Sequence, residues 1–256
     1  MNVMDDNNTK KYIESTIYIG SLYVQCPEPN VFCVTCNESD LLFNQILFDR
    51  DSDRVCDQVF IMNQPFYADS IYSLDQFIKD NSFSIPIASC MLSTLYNQYQ
   101  FLSNKQYSIS YVDLNDIMVI NGKHFFFSNC HKLYKMTSKP NIEDNAMGNL
   151  NSKNDPNWSM YITEWYDHKN IFLSPELIHN KQLPFYCHKS SCLYSLALIV
   201  LYCLKHGNPN IDIDISKPLL DYTEIEVLNY YKNTKIFHTL SYCLNDDPVK
   251  REFILF

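Results

Sequence analysis

Glycine is scarce in this chain: four residues in 256, Gly20, Gly122, Gly148 and Gly207, the closest two standing 26 positions apart. Phosphate-cradling loops of the Walker and dinucleotide-binding kinds need several glycines within a few residues, so that backbone N–H groups can approach the phosphates. The spacing excludes both. Positive charge is scarce too: 20 Lys and Arg face 29 Asp and Glu, for a net charge of −9 and a pI near 5.2. Nucleic acid and anionic membrane surfaces are bound by clustered bases, and no such cluster occurs. Long apolar runs are missing as well. The longest, Cys192 to Leu204, covers 13 residues where a bilayer span needs about 20. Met1 to Asp6 shows no basic stretch leading into an apolar core. These shortages predict a soluble, unsecreted, cytoplasmic protein with no nucleic-acid and no membrane partner.

What is present is globular. Hydrophobic residues make up 46% and charged residues 19%, enough apolar surface to offset a backbone entropy of about 1–2 kcal/mol per residue. No internal repeat of solenoid length occurs. Ten cysteines are scattered through the chain and stay reduced in a cytosolic setting. The one close pair is Cys33-Val-Thr-Cys36, with Cys26 upstream and Cys56 downstream. Four sulfurs match a zinc site by count, but structural sites pair two short-spaced units, so small apolar residues beside a strand are the plainer reading. Nineteen tyrosines and 16 phenylalanines fill a core and leave material for a partner surface.

Along the chain, residues 1–11 are polar and read as a flexible N-terminus. Ser15 to Gln25, Val31 to Thr35 and Gln58 to Met62 read as strands, with a short helix over Glu38 to Leu47 between them. Residues 12–64 thus form a small β-rich unit. Beyond the turn at Asn63-Gln64-Pro65, helices are predicted over Ser73–Lys79 and Pro86–Leu102, and the remainder reads as mostly helical. The exception is Ile117 to Ser128, two apolar runs about an Asn-Gly pair, which is the signal of a tight hairpin. Lys135 to Asn157 is polar and aperiodic and predicts a long exposed loop. Ser191 to Leu204 is apolar nearly all round, hence a buried helix. A capping box, Thr223-Glu-Ile-Glu226, opens another helix, and Lys235 to Leu244 is the last.

This order resembles the eukaryotic-type protein kinase fold, and six segments carry the resemblance. Ile71-Tyr-Ser-Leu-Asp-Gln-Phe-Ile78 is similar to the segment after the kinase hinge. Tyr111-Val-Asp113-Leu114 with Ile117-Met-Val-Ile resembles the catalytic loop and its following strand. Ser128-Asn129-Cys130-His131 takes the place of the Asp-Phe-Gly motif. Leu173-Ser174-Pro175-Glu176 resembles Ala-Pro-Glu, Ser191 to Ala197 the start of the central helix, and Asp247-Pro248-Val-Lys-Arg251 the Asp-Pro-x-x-Arg motif. The resemblance implies an α+β bilobal fold: a reduced N-terminal β lobe over residues 12–64 and a mainly helical C-terminal lobe over 65–256, in which 134–172 form a long polar loop like the activation segment. It also implies an ion pair between Glu176 and Arg251.

The departures set the expected function. Kinase catalysis needs a Gly-rich loop, a strand lysine on the phosphates, magnesium held by an Asp and an Asn, and an Asp base. No lysine lies between Lys11 and Lys79, leaving Arg50 and Arg54 as the cations of the small lobe. Asn129 stands at the metal-binding Asp, a poorer magnesium ligand. Asp113 stands at the base, with Asp116 as the ligand if two residues are deleted; in a shifted register Tyr111 replaces the base. The implied protein is a pseudokinase, of the kind encoded by large DNA viruses, working through protein partners in the host cytoplasm or a virion. Asp113, Asp116 and Asn129 are then vestigial, and no cofactor and no metal is expected. Two rivals stay open. One is an ATP-dependent protein kinase or transferase using Asp113, with ATP and magnesium at Asp116 and Asn129 and Arg50 or Arg54 on the phosphate. The other is a structural virion protein that binds no nucleotide.

Other pairings read as structural. Cys130-His131 and Cys187-His188 are adjacent pairs, whose side chains diverge in an extended strand. Asp212 and Asp214 alternate with isoleucines, as on an exposed strand edge.

Overall fold

The structure is a computed structural model, and it describes residues 16–47, 62–138, 158–207 and 223–254. Residues 1–11, Arg50, Arg54, Cys56, all of the strand predicted at 58–62 except Met62, and Asp212 and Asp214 lie outside the described residues.

The first sheet has the order β1-β2-β3-β4, all antiparallel: β1 (Thr16–Ile19), β2 (Leu22–Glu28), β3 (Val31–Cys36) and β4 (Pro65–Tyr67). The run predicted as one strand over Ser15–Gln25 is two strands, because Gly20 turns the chain. Ile19 pairs with Leu22, leaving Gly20 and Ser21 as a two-residue turn. Gly20 has φ +60 and Ser21 is not left-handed, the pattern of a type II′ turn. After β3, a 3-10 turn over Glu38–Asp40 leads into α1 (Leu41–Leu47). β4 follows residue 64 and pairs with β3 through Phe32–Phe66.

The next layer is the sheet β5-β7-β8: β5 (Ile71–Ser73), β7 (Ile117–Ile120) and β8 (His124–Phe127). Between β5 and β7 the chain runs through α2 (Leu74–Asp80), α3 (Ile85–Asn104) and β6 (Tyr107–Ile109). The hairpin turns at Asn121 and Gly122, with φ 54 and 64, so the Asn-Gly pair supplies two left-handed residues. Both faces of this sheet are covered, which is why its strands read as unbroken apolar runs. Met118, Ile120 and Phe126 pack upward with Ile19, Leu22, Val24 and Val34 of the first sheet. Ile117, Val119, Phe125 and Phe127 point the other way, into the helical core.

That core is built on α5 (Ser191–His206), where Leu193, Leu196, Leu198, Ile199, Val200 and Leu201 are all buried. α3 lays Met91, Leu95 and Leu102 on it at helical spacing. α6 (Thr223–Tyr230) and α7 (Lys235–Cys243) complete it.

The expectation of a mostly helical remainder is corrected by a further antiparallel sheet, β11-β10-β9-β6, with β9 (Leu133–Ser138), β10 (Trp158–Ile162) and β11 (Phe185–His188). The loop expected over 134–172 contains strand at Leu133–Ser138 and Trp158–Ile162: Met136 pairs with Met160, and Met160 with Cys187. Residues 139–157 lie outside the described residues. Met160, Ile162 and Cys187 of this sheet cluster with Tyr111, Leu173 and Leu177, the last from α4 (Pro175–His179). The fold is α+β with antiparallel sheets. Among the described residues no helix is long and apolar enough to cross a membrane.

Candidate functional site

The β7–β8 hairpin and the 3-10 turn before it (Leu114–Asp116) bring Asp113, Asp116 and Asn129 together. Asp116 is buried at 6% exposure and its carboxylate is fully engaged. Oδ1 accepts from Asn129 Nδ2 at 2.7 Å. Oδ2 accepts from the Asp113 backbone N–H at 2.7 Å and from the Lys132 ammonium. Lys132 also lies over the Tyr111 ring, 3.8 Å from its centroid, so the cation is held by a carboxylate on one side and a π face on the other. The Asn129 side-chain carbonyl accepts from the His131 backbone N–H at 3.1 Å. Asp113 forms a capping box with Asp116 across the 3-10 turn, and its Oδ2 accepts from Asn170 Nδ2 at 2.6 Å, as a loop-fixing aspartate does.

Sequence reasoning missed Lys132. It follows the Asn129-Cys130-His131 segment directly, and only the 3-10 turn over Cys130–Lys132 aims it back at Asp116. Tyr111 stands at the edge of the same cluster. Burial raises its phenol well above the ordinary value, and the charges of Asp116 and Asp113 add to the rise, so it stays protonated and is unsuited to act as a base.

The Gly20–Ser21 turn closes the cluster from above. Gly20 N–H donates to the Asn115 carbonyl and Ser21 N–H to the Ser128 carbonyl, both at 2.8 Å. Ser21 Oγ lies 2.9 Å from that carbonyl and accepts from the Cys130 N–H at 3.0 Å. A Cβ on Gly20 would sit 2.5 Å from the Ser128 carbonyl oxygen. The lone glycine of the first sheet therefore serves close backbone contact. Below, Gln98 fixes the end of β8: it accepts from Phe127 N–H at 2.8 Å and donates to its carbonyl at 3.3 Å.

The space left among Tyr111, Asp116, Asn129 and Lys132 is too tight to admit a water molecule, against the roughly 300–1,000 Å³ of small-molecule pockets. Magnesium needs several free oxygen ligands. Asp116 and Asn129 spend theirs on Lys132, Asp113 and His131, so these residues do not fit the ion that the kinase resemblance would bring. A roomier cavity, about 620 Å³, lies elsewhere, lined by Tyr96, Tyr99, Asn104, Trp158 and Lys189. None of the candidate residues lines it.

Glu176, on α4, and Arg251, 75 residues later, meet in a two-pronged pair: Nη1 to Oε1 at 2.6 Å and Nη2 to Oε2 at 2.8 Å. The guanidinium is fully buried, donates through Nε to the Asn245 carbonyl at 2.7 Å and packs on Tyr194. This pair ties the segment before α5 to the chain after α7.

The remaining candidates separate. Cys33 and Cys36 lie three positions apart in β3 and so face opposite sides, which leaves no shared site for the close pair. Cys130 and His131 lie in a 3-10 turn rather than a strand, so their side chains do not diverge as expected. Burial raises the Cys130 thiol, which marks it as a poor nucleophile. Cys187 is buried within β11, and His188 Nδ1 meets Ser190 Oγ at 2.8 Å. No known protein-family model matches the chain, and a search of curated proteins finds no significant relative.

Proposed function

We propose that this chain is a catalytically inactive, protein kinase-like domain that works as a scaffold through protein contacts. The observation that carries the reading is the self-satisfied state of Asp116: Lys132, Asn129 and a backbone N–H occupy its oxygens, and the Gly20–Ser21 turn rests on Ser128 where a phosphate-binding loop would need room. Charge neutralisation of a transferring phosphoryl group needs cations facing an open cleft. Here the one lysine in the cluster is spent internally. The buried Glu176–Arg251 pair, the two-faced hairpin sheet and the all-round buried α5 support the architectural side of the same reading.

A contact role draws support from large side chains left in water. Tyr67 is 83% exposed, Tyr18 70%, Trp165 70% and Leu42 65%, and Tyr and Trp are the residues that anchor protein interfaces. Thermal unfolding in the presence of ATP, with and without magnesium or manganese, tests the proposal. A ligand at 100 times its dissociation constant adds about 2.7 kcal/mol; no shift is expected here, and no radiolabel transfer to generic substrates. A magnesium-dependent shift, with transfer abolished by Asp113→Asn, would establish the transferase instead.

A further inference from the structure

Below the Gly20–Ser21 turn, three unlike donors converge from two distant stretches of chain. Asp40 ends the 3-10 turn before α1, while Cys130 and His131 open the turn after β8. Their donor atoms, a carboxylate oxygen, a thiol sulfur and an imidazole nitrogen, all lie within 4.8 Å of one another. Among the described residues this is the one such grouping of His, Cys, Asp and Glu. We propose that Asp40, Cys130 and His131 hold a zinc ion that clips the first sheet's α1 segment to the hairpin sheet.

The donor set is borderline-soft, one sulfur, one nitrogen and one oxygen, which suits zinc better than the all-oxygen ions. Spacing agrees with it. Zinc bonds of about 2.0–2.3 Å at tetrahedral angles put neighbouring ligand atoms about 3.3–3.6 Å apart, and Asp40 Oδ2 lies 3.6 Å from His131 Nε2. That gap is too long for a hydrogen bond and right for two ligands of one ion. The sulfur lies within 4.8 Å of both, and the His131 side chain, 64% exposed, has room to turn toward it.

The surroundings are those of a built site. Asp40 and Cys130 are buried, at 8% and 3% exposure. Asn44, fully buried, directs its Nδ2 to the Cys130 sulfur at 3.7 Å and to the Asp40 carbonyl at 3.1 Å. An amide donor to a ligating sulfur is the outer support that metal sites use. On binding, zinc displaces the thiol proton of Cys130, which leaves to solvent. His131 coordinates as the neutral ring, and water takes the fourth position on the exposed side. The inference stands on this cluster alone and is independent of the scaffold reading.

The test is titration of the full chain, first stripped with a chelator, with cobalt(II) as a spectroscopic probe and then with zinc. One equivalent per chain is expected, with a thiolate-to-cobalt charge-transfer band and the visible bands of a tetrahedral site, bleached by zinc. Because Cys130 is buried, Cys130→Ser is expected to lower stability, so the deciding variant is His131→Ala on the exposed ligand. Loss of an outer-shell partner costs 10–100-fold in affinity; loss of this ligand should cost at least about 100-fold while the circular dichroism stays native. Cys33→Ser and Cys90→Ser should leave the titration unchanged. Cobalt that binds below one equivalent, shows no thiolate band, or is indifferent to His131→Ala would overturn the site.

Discussion

Asp116 and Glu176 are both carboxylates neutralised by a single cation, yet one holds a small cluster shut and the other ties distant parts of the chain together. Glu176 meets a fully buried guanidinium 75 residues away, and the fork of Arg251 matches the two oxygens one to one. Asp116 meets Lys132 only 16 residues away, sharing it with the Tyr111 ring and dividing its own oxygens among three donors. The difference teaches what each pair is for. A rigid, unshared fork specifies where two chain segments sit. A compact ammonium with several partners fills a space and satisfies a charge.

Breaking the first pair should cost most. Arg251→Met leaves Glu176 without its cation beside a buried wall, and removal of one partner of a buried pair costs about 3–5 kcal/mol. Urea unfolding is expected to show that loss at unchanged m-value. A loss below about 1 kcal/mol would place the pair with surface bridges and leave the two carboxylates alike. The turn above the second pair comes next. Gly20→Ala forces a Cβ to within 2.5 Å of the Ser128 carbonyl at φ +60, and left-handed strain with overpacking amounts to roughly 2–4 kcal/mol. Hydrogen exchange should localise the damage to the Ser21 and Cys130 amides; protection unchanged at both would mean that the turn does not seal the cluster.

Lys132→Met should cost less, about 1–2 kcal/mol, because Asp116 keeps the Asn129 amide and the Asp113 N–H. The variant is also expected to gain no ATP-induced thermal shift, since Gly20 and Ser21 still occupy the approach. A shift that appears on removing Lys132 would mean that this lysine alone closes the site.

The two pairs also differ in how far the sequence foretells them. Arg251 is the only arginine after Arg54, and it and Glu176 stand in segments that resemble kinase motifs, so their meeting is what the resemblance implies. The β7–β8 hairpin was equally legible, because Asn121-Gly122 interrupts two apolar runs. Lys132 carried no such mark: its role depends on a one-turn 3-10 element that re-aims it. The β11-β10-β9-β6 sheet escaped for a related reason. Its strands are short, mix Tyr, Lys, Met and Ser, and pair across long separations such as Tyr107 with Lys135 and Met160 with Cys187, so local period and composition hold little of the signal. The seat of Gly20 on Ser128 is likewise a contact across more than a hundred residues.

A third ion pair keeps the separation while burial and geometry change. Lys79 Nζ lies 2.6 Å from Asp75 Oδ2, the same separation as Arg251 Nη1 from Glu176 Oε1, but the lysine side chain is 61% exposed and the aspartate 31%. Hydrogen bonding to Asp75, and its charge, hold the Lys79 ammonium above its ordinary value. A cation whose pKa is raised on folding contributes in full at pH below the unfolded value and loses that contribution only as pH rises through the folded one, so the pair is intact at neutral pH. Water and salt screen it there, and the long lysine side chain must be ordered to form it. Asp75→Asn is therefore expected to leave the urea midpoint within experimental error of the parent at moderate salt. A loss approaching that of Arg251→Met would show that distance, rather than desolvation and the two-pronged fork, sets the strength of these pairs, and the contrast between the Glu176 and Asp116 regions would have to be rebuilt on geometry alone.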